Sequence, residues 1–106
     1  MKKIYRLEFY VPDTHLDTVK AAIFKAGAGA MGNYDCCSWE TSGTGQFRPL
    51  EGSNPFIGTL SRIEQVKEYK VETICEESVL TEVIKALKQA HPYELPAYHI
   101  IEAFIE

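Results

Sequence analysis

The sequence predicts a small α+β domain made of two β-α-β halves: a four-stranded antiparallel sheet with two helices on one face. Three observations predict it. Residues 3–11 and 65–75 alternate in character, as half-buried strands do. Residues 16–26 and 79–90 carry apolar side chains at helical spacing. These patterns follow one another as strand, helix, strand, loop, strand, helix, strand within 106 residues, the length of one domain. That order is the ferredoxin-like one, and residues 1–106 are read as a single domain.

In the first strand Tyr5, Leu7, Phe9 and Val11 share a face, with Arg6 and Glu8 opposite. Pro12-Asp13-Thr14 breaks it. Thr14, with Asp17 three residues on, resembles a capping box. Leu16, Val19, Ile23 and Ala26 then mark a helix that Gly27 stops. Residues 33–40 (NYDCCSWE) suggest the second strand. Residues 41–58, rich in Gly, Ser, Thr and Pro, predict a long loop, the kind of segment that is usually functional or mobile. In the third strand Tyr69, Val71 and Cys75 share a face, and Glu68, Lys70 and Glu72 the other. Ser78 is the expected cap of a second helix whose stripe is Val79, Leu80, Val83, Ile84, Leu87 and Ala90. His91-Pro92 ends it. Residues 97–105 form the last strand, apolar on both faces: Tyr98, Ile100 and Phe104 on one, Ile101, Ala103 and Ile105 on the other. A strand covered on one side only does not need this. The open sheet face is therefore expected to be covered by a second copy of the chain.

Hydrophobic content of 45% and charged content of 25% are those of a globular domain. A formal charge of −4 and the absence of basic clusters argue against a nucleic-acid surface. No stretch is apolar enough for a membrane span, and no h-region follows Met1-Lys2-Lys3. The three cysteines are odd in number, with Cys36 and Cys37 adjacent, so a reducing cytoplasm is the expected home.

Gly27-Ala28-Gly29-Ala30-Met31-Gly32 spells G-x-G-x-x-G but follows a helix and leads into a strand. The helix N-terminus that a dinucleotide requires is missing, so a tight turn is expected. Gly43-Thr44-Gly45, with no Gly-Lys-Ser/Thr after it, reads as a hairpin tip. Cys36, Cys37 and Cys75 lack a C-x-x-C spacing and read as structural. His91-Pro92-Tyr93-Glu94 is the densest cluster. It reads as a rigid corner between helix and strand, with His91 and Glu94 the candidate metal ligands and His99 or Cys75 further ones. No nucleophile–base pair or G-x-S-x-G elbow is found, and the acids are expected on solvated strand faces, so an enzyme is not expected.

The corner also carries a resemblance. Residues 91–96 (HPYELP) look like the H-P-Y-E-x-P motif of the CutA divalent-cation-tolerance proteins. Residues 27–39 (GAGAMGNYDCCSW), 43–49 (GTGQFRP), Pro55-Phe56-Ile57-Gly58, the spaced Glu64, Val66 and Glu68, and 91–98 (HPYELPAY) together resemble the PII/CutA-like domain of the YqfO branch of the NIF-three-like family. The chain departs from that pattern at Leu95 and His99, where acidic residues are common. The dinuclear metal site of the parent family lies on a flanking domain rich in His. This chain has three His, and that hydrolase-like chemistry is not carried over.

The resemblance implies a free-standing PII/CutA-like trimer. It also implies a binding or regulatory role through the long loop and the intersubunit clefts, with Gly43, Gly45, Phe47, Arg48 and Phe56 as the loop residues and a protein or small effector as partner. CutA-like divalent-metal binding is the alternative, and a small hydrolase the alternative of another class.

Overall fold

A computed structural model describes all of residues 1–106. The elements are β1 (Lys2–Pro12), a 3-10 turn (Asp13–His15), α1 (Leu16–Lys25), β2 (Ser38–Phe47), β3 (Glu64–Cys75), α2 (Glu77–Ala90) and β4 (Tyr98–Ile105). The strands form one antiparallel sheet in the order β2-β3-β1-β4. This is the expected ferredoxin-like arrangement.

β1 lies in the sheet interior, pairing Phe9 with Val71 of β3 and Leu7 with Ile100 of β4. Its odd-numbered face meets the helices. Leu7, Phe9 and Val11 pack with Val71 and Cys75 against Val19 and Ile23 of α1 and Val83 and Leu87 of α2. Excluding these side chains from water is the main gain in folding, at roughly 1.5–3 kcal/mol for each large aliphatic or aromatic one.

Four expectations are corrected. The second strand is Ser38–Phe47, not 33–40, and residues 31–34 form only an isolated bridge between Met31 and Tyr34. Gly43-Thr44-Gly45 is therefore ladder, opposite Glu68, Lys67 and Val66, and not a hairpin tip. The irregular connection runs over 48–63 instead of 41–58. Pairing with the long β3 supplies hydrogen bonds that outweigh the poor strand propensity of the Gly-Ser-Thr run. Neither predicted cap holds: α1 starts after His15 and α2 after Glu76, with no side-chain cap at either, while Thr14 Oγ1 lies 2.9 Å from His15 Nδ1.

The Gly27–Gly32 run turns the chain from α1 toward β2. Gly29 has φ +80°, and a Cβ there would meet the backbone of Cys37. Its N–H donates to Ile74 O at 2.8 Å and its carbonyl accepts from Cys37 N at 3.0 Å, so the turn is stitched to the end of β3.

β4 is an edge strand. Three of the six residues that make it apolar on both faces stay uncovered: Ile100, Ile101 and Phe104 are exposed, the last by 60%. Ile100 and Phe104 lie on the helix side, Ile100 at the border of α2, and Ile101 on the opposite face. On the other edge, Trp39 of β2 is 70% exposed.

Candidate functional site

At one end of the sheet the 48–63 connection folds back toward the segment after α2, and a cleft of about 270 Å³ opens between them. It is lined by side chains from β1, β2, β3, the connection and the 91–97 corner, among them Tyr10, Phe47, Phe56, Glu68, Tyr93 and Glu94.

The corner is built around His91. α2 ends as His91 N–H donates to Leu87 O at 2.9 Å, and Pro92 forbids a further helical turn. The His91 side chain is buried. Its Nδ1 accepts from the Tyr93 N–H at 3.1 Å, which leaves the proton on Nε2, 2.7 Å from Tyr10 O. Burial holds the imidazole below its ordinary pKa, with the Tyr10 carbonyl and the Glu68 charge working the other way and His15 adding to the lowering. Both ring nitrogens thus hold backbone in place. Glu94 does the same for the connection. Its Oε2 accepts from the Asn54 N–H at 3.0 Å and ties that segment to the corner.

Tyr93 then reaches over β3. Its hydroxyl donates to Glu68 Oε2 at 2.7 Å, and its ring lies 6.0 Å from Phe47 and 6.5 Å from Phe56, centroid to centroid. Burial and the neighbouring carboxylate push the phenol well above its usual pKa. Glu68 itself is only 8% exposed, against the solvated face expected for it. A Cβ at Gly45 would overlap its carboxylate. Gly45 matters here because it leaves room for a buried acid between β2 and β3, not because a loop must bend.

The residues singled out from sequence divide into three groups. Glu94, Phe47 and Phe56 come together at the cleft, while the buried His91 ring does not line it but lies 4.9 Å from that of Tyr93; Gly45 lies beneath the cleft, and Arg48 is exposed beside it. His99 is on β4 with its Nδ1 3.3 Å from Glu8 Oε1, and Gly43 lies within β2 opposite Glu68. Cys75 is in the core, its thiol pushed up to about 11 by burial, and Cys36 is exposed, with φ +53°. Nowhere do three His, Cys, Asp or Glu side chains converge as metal ligands. Sequence reasoning missed Glu68 and Tyr10. The available signal was the pair of glycines in alternate positions, Gly43 and Gly45, beside an acid on the neighbouring strand.

No protein-family model matches the chain. It is 46% identical over 99 residues to a Halalkalibacterium halodurans protein named GTP cyclohydrolase 1 type 2 homolog, a match covering 93% of this chain and 27% of that one. The Bacillus subtilis protein of the same name is 43% identical over 95 residues, covering 90% and 26%. The chain therefore spans about a quarter of the length of these relatives. Among solved structures, a Bacillus cereus protein related to NIF3 superposes with a TM-score of 0.82 at 38% identity, over 96% of this chain and 26% of that one. The periplasmic divalent cation tolerance protein CutA of Archaeoglobus fulgidus superposes with a TM-score of 0.64 at 16% identity, over 94% and 82%, a likeness of fold alone. The resemblance to NIF3-related proteins drawn from the motifs is borne out, and the resemblance to CutA is borne out in fold.

Proposed function

We propose that this chain, homologous along nearly its whole length to about a quarter of the NIF3-related proteins and CutA-like in fold, is a non-catalytic cytoplasmic binding module that assembles as a homotrimer and takes an effector in the cleft beneath the 48–63 connection. The observation that carries the reading is the cleft itself. Aromatic rings and a few fixed polar groups converge there, held in place by His91, Glu94 and Gly45, which is how small-molecule sites are generally built. Two of its polar contacts position the walls themselves: Tyr93 holds Glu68, and Glu94 holds the Asn54 backbone. The uncovered Ile100, Ile101 and Phe104 on one sheet edge and Trp39 on the other support assembly.

Sedimentation at micromolar concentration tests the assembly: a trimeric mass is expected, and a monomer overturns it. A metabolite screen by thermal shift tests the module. A stabilising compound should lose its effect when residues 51–60 are replaced by a short Gly-Ser linker, which leaves β2 and β3 whole. A compound that stabilises the shortened protein equally overturns the cleft as the site.

The divalent-metal reading has less support, because His91 and Glu94 would each have to release backbone that they now hold. Calorimetry with copper, zinc and manganese decides it: micromolar binding lost in His91→Ala would favour it, and no heat removes it.

A further inference from the structure

We infer that the cleft is selective for a small, weakly hydrated organic cation, a guanidinium or methylated ammonium group. The inference rests on the binding-module reading above and names the ligand class for that site.

Its thirteen lining residues include two carboxylates, Glu68 and Glu94, and no Lys, Arg or His. The seven ion pairs of the molecule all lie elsewhere, and none involves either acid. Glu68 is thus a carboxylate more than nine-tenths buried with no cationic partner in the chain. One of its oxygens is held by the Tyr93 hydroxyl, and no hydrogen bond fixes the other. Burying an acid is costly unless a charge or several donors compensate. The second oxygen is not sealed off, since no buried side-chain oxygen of the molecule lacks a partner, and a cation in the cleft would pair with it.

The surroundings select the kind of cation. The Tyr93 ring lies 6.0 Å from Phe47 and 6.5 Å from Phe56, the His15 ring meets Phe56 edge-on at 5.3 Å, and seven of the lining residues are hydrophobic. Aromatic faces attract cations through the ring quadrupole, most strongly when the cation sheds water easily. A guanidinium or a methylated ammonium does so, and a small metal ion does not. A cleft of about 270 Å³ falls just below the roughly 300–1,000 Å³ of drug-sized sites, which fits one such head group on a short chain.

The test follows the amide resonances of Gln46, Tyr93 and Leu95 by NMR at constant ionic strength. The probes are N-methylguanidinium and tetramethylammonium chlorides, with N-methylurea and tert-butanol as neutral counterparts and sodium acetate and inorganic phosphate as anions. Saturable shifts with the cations are expected, with neutral probes at least about tenfold weaker. Glu68→Gln keeps the shape of the site and an acceptor for Tyr93, and should weaken cation binding on the order of tenfold. Glu94→Gln is the second variant should Glu68→Gln disturb the fold.

Equal binding of charged and neutral probes, or cation affinity unchanged in both variants, overturns the inference. Neutral or anionic probes that saturate these amides in preference to the cations overturn the ligand class while leaving the binding module standing. No saturation by any probe also overturns the ligand class, and the module then stands or falls by the metabolite screen.

Discussion

The hydroxyl of Tyr93 donates a 2.7 Å hydrogen bond to Glu68 Oε2, joining the corner after α2 to the middle of β3 across the floor of the cleft. Hydrogen bonds to charged groups contribute roughly 1.5–3 kcal/mol when well buried. Tyr93 is only half-buried, so Tyr93→Phe is expected to cost about 1–2 kcal/mol. Urea unfolding checks this, and a double-mutant cycle with Glu68→Gln should show coupling between the two sites. Additive effects would mean that the pair does not interact in solution.

Gly45→Ala places a methyl group where the Glu68 carboxylate lies. Overpacking of this kind costs about 1–3 kcal/mol. The expected result is a lowered thermal midpoint that is partly restored when Glu68→Ala is added. Gly43→Ala, with open space around its Cβ position, should change much less.

His91 gives the stability a pH dependence of definite sign. Burial depresses its pKa in the folded chain, so the unfolded chain takes up the proton first as pH falls. The contribution is complete above about pH 6.5 and declines below it until the folded-state pKa is passed, by at most about 1.4 kcal/mol per pH unit. His91→Gln should flatten the difference between pH 7.5 and pH 5.5 in urea unfolding. Comparison with the wild type removes whatever pH dependence the two proteins share.

The three free thiols should react in order of exposure. Cys36 is expected to modify first with a maleimide, and Cys36→Ser to abolish the fast phase. Cys75, buried and with its thiol pushed up to about 11, should react only on unfolding. Mass spectrometry of the native protein reads the order directly.

Ile101→Glu and Phe104→Ser alter exposed residues outside the core cluster. Each should leave the thermal unfolding cooperative while lowering the sedimenting mass. Unchanged mass in both would place the subunit contact elsewhere.

Much of the fold was legible in the sequence. Alternation placed β1 and β3 and helical spacing placed α1 and α2, because each buries one face on the same core. The corner was legible in His91-Pro92-Tyr93-Glu94, since a proline and a short polar run leave the backbone few choices. β2 was misplaced by several residues. Its Thr41-Ser42-Gly43-Thr44-Gly45 run has no apolar face to betray it, and only its partner strand makes it extended. The burial of Glu68 was hidden for a related reason: it depends on Gly45, which is far away in the chain and close only after pairing.

The strand order leaves β2 and β4 as the two outer strands, ten and eight residues long, each with one side of its backbone unpaired. Such borders are templates for further ladder growth, and the chain has one at each end of its sheet. A closed ring of copies satisfies both borders and stops; a head-to-tail stack that fails to close keeps adding copies into a filament. In the proposed trimer, closure of the ring is therefore also a safeguard. A variant that opens it is expected to be not only dissociated but prone to fibre formation, visible as slow thioflavin-positive growth in samples that still fold.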